Sequence, residues 1–560
     1  MNRNTQERFA LNPTNIDIQR SRFLMTPEVK TSFNVSELVP IGMPIEVLPG
    51  DTFEISVAAA VRMQPLVSAP LDNLEFSYYF FFVPNRLVFD KWKAFMGENE
   101  DGAWIQSHEY RIPMIRQKGG FVPHSVADYM GLPIADPNTI PSNNYLTVSA
   151  LPFRGYALCY QEWFRNQNII PPPFIDFGES WRDGKLSTDS DYNDPLMSAA
   201  YGGHLFKVSK HPDYFVKGLP GPQKGTDLTI MDHMPVYFDS DRIMDPAVVF
   251  ETHPPQGSAM AFYNASSQPE SHGTIWSLNG ASTQRNVQPQ NWYVDGNLTI
   301  SALRTAFQIQ KLYEKDARGG TRYRELLISH FGVTSPDASQ QVPQYLGGKT
   351  IPINVNSVVQ TSESGETPQG NIAGYSLTSF GSRNSDFIQS FTEHGYLFCL
   401  GAARINQHSY QQGIHRSWTR MNRTQFYFPV LANISEQPIL NKEIYATGTA
   451  LEDYADPNAD DNKVFAYQEA WAEYRYMPSA ITGQMRSNVT GSLDSWHFAD
   501  FYNTRPSLSK EWIEEDENNV NRVLTVQSNV SDQLFGDFRF NIKATRPMPM
   551  YSIPGLVDHH

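Results

Sequence analysis

The sequence has few cysteines and no long apolar run. Only Cys159 and Cys399 occur among its 560 residues, without a CxxC pair or a histidine at metal-ligand spacing, which favours two free thiols over a disulfide. No apolar segment is long enough to cross a membrane, and the first residues, MNRNTQERFALNPT, lack the apolar core of a secretory signal. We therefore expect a soluble chain without a membrane span, made in a reducing compartment.

The motifs of several catalytic and metal-binding classes are also missing. The sequence contains no HExxH, GxSxG, GxxxxGKS/T or strand-linked GxGxxG motif. Asp456, Asn458 and Asp460 have the spacing that begins a calcium loop. However, Asp461 stands where the turn glycine belongs and Tyr467 where the bidentate glutamate belongs, so an exposed acidic turn is favoured. The sequence therefore predicts no enzyme, no metal and no cofactor.

Charge is scarce and mostly acidic. Charged residues make up 18% of the chain and aromatic residues 13%, and 44 basic against 59 acidic side chains give a formal net charge of −15. Few charges beside many aromatic side chains indicate a surface that other proteins cover. A chain this acidic does not neutralise nucleic acid by itself, so an enclosed DNA or RNA would need another, basic species to offset its phosphates.

One short, strongly aromatic segment organises the predicted fold. In Leu74 to Val83, LEFSYYFFFV, the first half alternates between apolar and polar residues, whereas the second half is apolar at every position. Because strand side chains alternate between the two faces, this pattern predicts a strand buried on both sides. Each side needs a bulky cover, from elsewhere in the chain or from a neighbouring copy.

Further strands are predicted near both ends of the chain, with a long middle between them. Alternating patterns begin at Phe53 and at Phe538, and apolar segments run from His394 to Ile405 and from Gln425 to Leu431. This spacing predicts an all-β fold, one sandwich or barrel with very large insertions. The predicted barrel core consists of Phe53, Ile55, Val57, Phe76, Phe80, Phe82, Phe398, Phe538, Phe540 and Ile542.

The middle of the chain contains helices and a distinctive insertion. Apolar spacing predicts a helix over 151–167, a second before Gly319 and a short third from Tyr323 to His330, all packed outside the sheet. Residues 226–296 are acidic, contain no lysine and are rich in polar residues, which predicts a solvent-facing excursion. Its candidate surface residues are Asp232, Asp239, Asp241 and Trp276.

Two segments suggest contact with partners. Residues 1–36 are polar with scattered basic side chains, so they form either an arm that lies along a partner or a disordered tail. The segment HRSWTRMNRTQFYF combines arginines with stacking rings, as single-stranded nucleic acid contacts do, and a subunit contact is the alternative. If the segment is extended, alternation places Arg416, Trp418 and Arg420 on one face, where they could act together. The candidate nucleic-acid contacts are Arg416, Trp418, Arg420 and Arg423, with Arg475 and Tyr476 as weaker candidates.

Several long blocks resemble one protein family. They are EVLPGDTF, LDNLEFSYYFFFVPNRLVFDKWKAFMGE, AFQIQKLYEKDARGGTRYRELLISHFGVTSPDA, YLGG with PINVN, EAWAEYRYMPS and the final RPMPMYSIPGLVDHH. Together they resemble the major capsid proteins of the Microviridae, small single-stranded DNA phages, and most closely those of the gokushovirus branch. The likeness runs from about Thr31 to the last residue and is weakest over 226–296.

This resemblance implies an eight-stranded antiparallel jelly-roll barrel with short helices in large loops. It divides the chain into an arm, residues 1–36, and one capsid domain, residues 37–560, whose insertion at about 226–296 forms a surface protrusion. It also implies sixty copies in a T=1 icosahedral shell around circular single-stranded DNA, condensed by a small basic protein. Scaffolding and other virion proteins, a host receptor bound by the insertion, and assembly in the bacterial cytoplasm complete the expectation. The alternative is a carbohydrate-binding or carbohydrate-active β-sandwich protein.

Overall fold

The computed structural model describes residues 19–99, 109–179, 202–225 and 300–551, apart from 137, 142, 364, 366–368, 371, 382–383 and 450–455. It also describes the backbone of several short strands between residues 182 and 294. The chain divides into two compact units. The larger unit consists of Met1–Pro222 with Ala317–His560, and the smaller unit of Gln223–Asp316. The smaller unit therefore extends beyond the predicted insertion, 226–296, at both ends.

The described elements are mainly strands, and those between residues 236 and 294 belong to the smaller unit. In chain order the strands are β1 (Ser21–Met25), β2 (Glu28–Phe33), β3 (Val39–Pro40), β4 (Ile45–Val47), β5 (Thr52–Met63), β6 (Leu74–Pro84), β7 (Met114–Lys118), β8 (Tyr145–Ser149), β9 (Arg182–Asp183), β10 (Val236–Phe238), β11 (Val249–Glu251), β12 (Ala259–Ala261), β13 (Asn279–Gly280), β14 (Thr283–Gln284), β15 (Trp292–Val294), β16 (Gln344–Ile353), β17 (Val355–Val359), β18 (Ile372–Ser376), β19 (Thr378–Gly381), β20 (Phe387–Ser390), β21 (Gly395–Ile405), β22 (Glu436–Leu440), β23 (Val464–Glu469) and β24 (Leu534–Arg546).

Most helices are short and lie in the connections. The α-helices are α1 (Asn85–Val88), α2 (Trp92–Phe95), α3 (Val126–Tyr129), α4 (Leu151–Cys159), α5 (Ile300–Gly319), α6 (Tyr323–Phe331), α7 (Asp337–Gln340), α8 (Asn441–Ile444), α9 (Lys510–Ile513) and α10 (Glu517–Asn521). A π-helical turn, Tyr160–Phe164, continues α4. Among the described residues, no helix is both long enough and apolar enough to cross a membrane.

The first principal sheet is built around β24. This strand pairs antiparallel with β1 and β2 on one side and with β5 on the other, and β5 pairs in turn with β19 and β20. The register sets Phe540 opposite Val57 and Ile542 opposite Ile55. Residues of β24 alternate strictly between buried and exposed as far as Asn541, so one face of the sheet lies against the core and the other faces solvent.

The second principal sheet is built around β6 and β21. They pair along their whole length, with Phe81 opposite Phe398, while β16 pairs with the other edge of β6. The short strands β3 and β4 pair with the outer edge of β21. The segment that sequence reasoning placed at the centre of the fold is therefore a central strand.

The two sheets have the strand order of a jelly roll. Because β1 and β2, β19 and β20, and β3 and β4 each share one position, both sheets are four positions wide. Along the chain, successive positions lie in opposite sheets at every connection except one. The exception is the connection from β6 to its neighbour β16 in the same sheet, and this connection contains the long middle of the sequence. The expected all-β class, with antiparallel sheets and helices in large loops, is confirmed.

The inner faces of the two sheets form one apolar core. The ring of Phe76 lies 5.5 Å from that of Phe538 across the two sheets, and the ring of Phe80 lies 5.0 Å from that of Phe387. All ten side chains that the sequence assigns to the barrel core are at most 5% exposed, but Phe398 lies opposite Phe81 on the outer face of its sheet and not between the sheets. Burial of a large apolar side chain contributes about 1.5–3 kcal/mol. The aromatic residues that alternate along the strands therefore stabilise the sandwich.

The outer face of β6 is covered by the same chain. The ring of Tyr79 lies 5.2 Å from that of Phe164, and the ring of Phe81 lies 5.4 Å from that of Trp163. Both covering rings belong to the π-helical turn after α4. Of the two covers that the sequence left open, the chain itself supplies one on this face. The predicted placement of this helix outside the sheet agrees with these contacts.

Helix α4 approaches the sheet closely because of one glycine. A Cβ atom at Gly155 would lie 2.7 Å from the Cζ atom of Phe398, well inside the contact distance of two carbon atoms. The helix therefore rests directly on the ring of a central strand, and any side chain at this position would force the two apart.

Two segments differ from the sequence interpretation. Residues 21–33, assigned to an N-terminal arm, form β1 and β2 and pair with β24, while residues 1–18 lie outside the described residues. The segment Gln425 to Leu431, predicted as a strand, contains 3-10 turns at Arg423–Gln425 and Pro429–Leu431, and that prediction is wrong. Pro429 is the reason: it lacks an N–H for a strand ladder and its φ angle suits the start of a turn.

The smaller unit contains three antiparallel strand pairs, β10 with β15, β11 with β12 and β13 with β14, and most of α5. Strand β10 pairs antiparallel with β15, with Val236 opposite Val294. Helix α5 has a polar and an apolar face, and none of its side chains is buried. The candidate surface residues of the insertion, Asp232, Asp239, Asp241 and Trp276, lie outside the described residues.

Candidate nucleic-acid and subunit interface

The first arginine of the basic-aromatic segment is already neutralised. Arg416 begins a 3-10 turn, and its Nη2 donates to Oε1 of Glu443 at 2.7 Å. Both side chains are largely buried. Burial alone would lower the pKa of Arg416, but the carboxylate of Glu443 outweighs it and raises the pKa above its ordinary value. The guanidinium is therefore charged, and its charge is already balanced.

Arg420 is paired in the same way. Its Nη2 donates to Oε1 of Glu473 at 2.9 Å, where the two side chains are 8% and 2% exposed. Its guanidinium also lies 4.2 Å from the ring centre of Tyr474 and 5.5 Å from that of Phe426. A planar cation between two rings and a carboxylate is fixed in orientation. Arg420 therefore holds the aromatic residues in place from within the segment.

The three remaining polar candidates have different surroundings. Arg423 is exposed and lies 5.2 Å above the ring of Phe428. Arg475 is also exposed and donates to Glu469 at 2.8 Å. Tyr476 packs inward, stacked on Tyr214 at 4.9 Å, and burial raises its pKa. Of these three, only the two arginines present their charged groups to solvent.

The geometry that the sequence suggested for this segment is wrong. Arg416 and Trp418 belong to a 3-10 turn, not to an extended strand, and the guanidinium groups of Arg416 and Arg420 turn inward to buried carboxylates. The physical reason is the cost of a buried unpaired carboxylate, which Glu443 and Glu473 would otherwise carry. The predicted common face of Arg416, Trp418 and Arg420 is therefore absent.

Large apolar side chains are also exposed near this segment, which sequence reasoning missed. Val430, Met477 and Trp418 are 93%, 87% and 84% exposed. Monomeric soluble proteins rarely expose a large contiguous apolar area unless another molecule covers it. Two features of the sequence could have indicated these exposed residues: Pro429, which turns the backbone, and the aromatic residues before it, which do not alternate as in a half-buried strand.

A buried ionic cluster lies elsewhere in the larger unit. The two ring nitrogens of His408 lie 3.0 Å from Asp500 and 3.1 Å from Glu515, and Lys210 and Asn519 donate to Asp500 at 3.3 and 2.7 Å. Burial alone would lower the pKa of His408, but the two carboxylates raise it to about 10. The imidazole is therefore protonated at neutral pH, and the cluster joins three distant parts of the chain by paired charges.

A cavity of about 880 Å³ opens between the two sheets near the turn from β1 to β2. Its walls are mainly apolar and include the rings of Phe80 and Phe540. Arg546 lies at its wall, where it donates to the backbone oxygen of Glu46 at 2.8 Å. The core therefore contains free volume beside Phe80, and loss of that ring would enlarge it.

The fold and the exposed surface together indicate a class of protein. Jelly-roll sandwiches occur in viral capsid proteins and in lectins, among others, and a broad apolar surface is typical of subunits that other proteins cover. The structure thus indicates a structural β-sandwich subunit of an assembly. A family model described as "Capsid protein (F protein)" matches residues 13–556, and the chain belongs to this family.

Three characterised relatives match almost the whole chain. The chain is 37% identical to "Capsid protein VP1" of Bdellovibrio phage phiMH2K, over 99% of this chain and 98% of that protein. It is 36% identical to "Capsid protein VP1" of Spiroplasma virus 4, over 96% of each chain. It is 34% identical to "Capsid protein VP1" of Chlamydia phage 1, over 98% of each. These phages are gokushoviruses of the Microviridae, which confirms the family resemblance seen in the sequence.

Family membership decides between the two functions that the sequence left open. The chain is a structural capsid protein of a phage virion, and the expectation that it is not an enzyme is confirmed by its relatives. The carbohydrate-binding or carbohydrate-active alternative is not favoured. Capsid proteins act by association with copies of themselves, so the surfaces that carry the function are contact surfaces.

Proposed function

We propose that sixty copies of this chain assemble into a T=1 icosahedral shell that encloses a circular single-stranded DNA genome. The observation that carries the proposal is the match of one capsid family across residues 13–556 of a chain whose two sheets have jelly-roll order. The low share of charged residues and the exposed apolar surface support it, because both suit large contacts between proteins. Closed symmetry then turns many modest contacts into one stable particle.

The genome requires a basic partner. Each copy carries a formal charge of −15, so sixty copies carry about −900 and repel a polyanion. We therefore expect a small basic protein to condense the DNA inside the shell, and other virion and scaffolding proteins to act during assembly. Assembly takes place in the cytoplasm of the bacterial host. The DNA contacts at Arg416, Trp418, Arg420, Arg423, Arg475 and Tyr476 stay a prediction.

The insertion at 226–296 is the proposed host-attachment element. Its acidic, lysine-free composition suits an outward-facing protrusion better than a surface that faces DNA. It lies within Gln223–Asp316, a compact unit separate from the sandwich, so its sequence can vary without a change in the core. A receptor on the host surface is the expected partner.

Particle size tests the main proposal. One copy has a mass of 63.5 kDa, so sixty copies form a particle of about 3.8 MDa. We expect sedimentation and negative-stain electron microscopy of the purified chain, with its basic partner and DNA supplied, to detect uniform icosahedral particles of this mass. A chain that stays solitary under these conditions would contradict the proposal.

A deletion tests the role of the insertion. Removal of residues 239–291 leaves Val236–Phe238 and Trp292–Val294, which pair with each other, to be joined by a short linker. We expect particles to form normally and attachment to host cells to be lost. A matched variant replaces Asp239 and Asp241 with Asn in the full chain. Because it removes charge without removing length, it separates the effect of these two charges from the effect of the missing segment. Failure of the deleted chain to fold would assign the insertion to the core instead.

A further inference from the structure

The basic-aromatic segment and two residues outside it expose several large apolar side chains. Trp418 in the segment, Val430 just after it and Met477 further along the chain are more than four-fifths exposed. Met421, Phe426 and Tyr427 in the segment are about half exposed. We call this surface the apolar patch; its members are Trp418, Met421, Phe426, Tyr427, Val430 and Met477.

Hydrogen bonds and ring contacts hold the patch residues to the buried Trp471 and the half-exposed Tyr474. The Nε1 atom of Trp471 donates to the backbone oxygen of Leu431 at 2.8 Å, and the backbone N–H of Tyr427 donates to the hydroxyl of Tyr474 at 3.2 Å. The ring of Tyr427 lies 5.7 Å from that of Trp471. These bonds fix the two turns from below, so the outward side chains are presented in set positions. A pre-formed surface loses little conformational freedom when a partner binds.

The charges within the patch do not suit a polyanion. A phosphate group would have to displace Glu443 from Arg416 or Glu473 from Arg420, and both carboxylates are at least 96% buried and would remain there unpaired. Binding to DNA gains its strength from cations that are free to replace counterions around phosphates. The two arginines nearest Trp418 are not free in this sense.

A depression formed partly by the same segment suits a protein side chain. It measures about 270 Å³ and is lined by Arg416, Arg420 and Gln425, which lie in the segment, and by Lys442 and Trp471, among others. It has room for one large side chain, and its walls combine apolar surface with fixed polar groups. Central anchors in protein interfaces commonly occupy pockets of this kind.

We propose that the apolar patch is a contact surface between copies of this chain in the capsid, and not the surface that binds DNA. Copies with a net charge of −15 repel one another overall, so a contact between them is favoured where a surface adds no net acidic charge. The patch meets this condition, because Arg416 and Arg420 are balanced one for one by glutamates and the neighbouring Arg423 is an exposed cation. A second copy is therefore the occupant that the charges favour. The inference rests on the proposed function, since it names the surface through which the shell forms.

Exposed substitutions test the inference without disturbing the core. The double variant Trp418→Ser with Met477→Ser removes two side chains that are 84% and 87% exposed. We expect an unchanged melting temperature of the protomer, unchanged affinity for a single-stranded oligonucleotide, and a rise of about tenfold or more in the protein concentration needed for assembly. The matched control is Val530→Ser, which is 77% exposed and outside the patch and should assemble normally.

Each other outcome has a distinct meaning. Normal assembly of the double variant would overturn this proposal while leaving the proposed function intact. Normal assembly with weakened oligonucleotide binding, measured by fluorescence anisotropy at low and raised salt, would assign the patch to DNA. This result would also overturn the proposal that the patch joins copies of the chain. A wild-type chain that never assembles would refute the proposed function, and this proposal with it.

Discussion

Replacement of Asp500 by Asn should destabilise the protein strongly, although the two side chains have nearly the same shape. In the structure, the carboxylate of Asp500 accepts from Lys210, His408 and Asn519 at 3.3, 3.0 and 2.7 Å, and it is only 1% exposed. Burial alone would raise its pKa, but Lys210 and His408 hold the pKa well below its ordinary range. An asparagine amide carries no charge, so Lys210 and His408 would remain as two buried cations. Glu515 would then be the carboxylate that remains beside His408.

The magnitude follows from the loss of one partner in a buried charge pair, about 3–5 kcal/mol. Unfolding entropy scales as roughly 2.1 cal/mol/K per residue, so a chain of 560 residues should lose about 3 °C in melting temperature. The pH dependence carries a second signature. His408 has a folded-state pKa of about 10, raised above the ordinary value of 6.5, so its contribution is complete below about pH 6.5 and lost as pH rises through about 10. Loss of the Asp500 carboxylate should lower the folded-state pKa of His408, so in the variant the total loss should be smaller and complete at a lower pH.

Thermal melting of wild type and Asp500→Asn across this pH range is the assay. The matched control is Asp537→Asn on β24, where the carboxylate is 55% exposed and 4.0 Å from Lys30, so a change below about 0.5 kcal/mol is expected. An Asp500→Asn protein that melts with wild type at every pH would refute the reasoning, because the cluster would then contribute no net stability.

Three further predictions concern Phe80, Gly155 and Glu514. Phe80→Ala removes a buried ring 5.0 Å from Phe387 and enlarges the neighbouring cavity, so it should cost about 3–5 kcal/mol and abolish particles; normal melting with normal particles would contradict this. Gly155→Val should cost about 1–3 kcal/mol in thermal or urea unfolding, because even a Cβ would lie 2.7 Å from the ring of Phe398; an unchanged transition would mean that the helix shifts freely. Burial raises the pKa of Glu514 to about 7, so this carboxyl lowers stability as pH rises from about 4.5 to about 7, and Glu514→Gln should gain melting temperature relative to wild type at about pH 8 but not at about pH 4.5; equal shifts at both would count against it.

The central strands could be predicted from the sequence because their pattern is local. Alternation along Thr52–Met63 and Leu534–Arg546 and the continuous apolar run of Leu74–Pro84 are set by the two faces of each strand. The same reasoning failed at Gln425 to Leu431, where aromatic residues resemble a strand but Pro429 forces a turn. Aromatic content alone does not distinguish a buried strand from an exposed turn.

The state of the arginines could not be predicted, because their partners are distant in sequence. Arg416 pairs with a glutamate 27 residues away and Arg420 with one 53 residues away. A single sequence gives the number of charges but not which ones meet. For the same reason the cluster around His408 could not be predicted, because its partners Asp500 and Glu515 are 92 and 107 residues away.

The position of β24 has a consequence for synthesis on the ribosome. This strand, Leu534–Arg546, is among the last parts of the chain to be translated, yet it separates β1 and β2 from β5 in the sheet. A nascent chain therefore holds open strand edges that have no common neighbour until translation is nearly finished. A chain that terminates before β24 lacks the strand that joins these edges, so we expect it to leave the sandwich open.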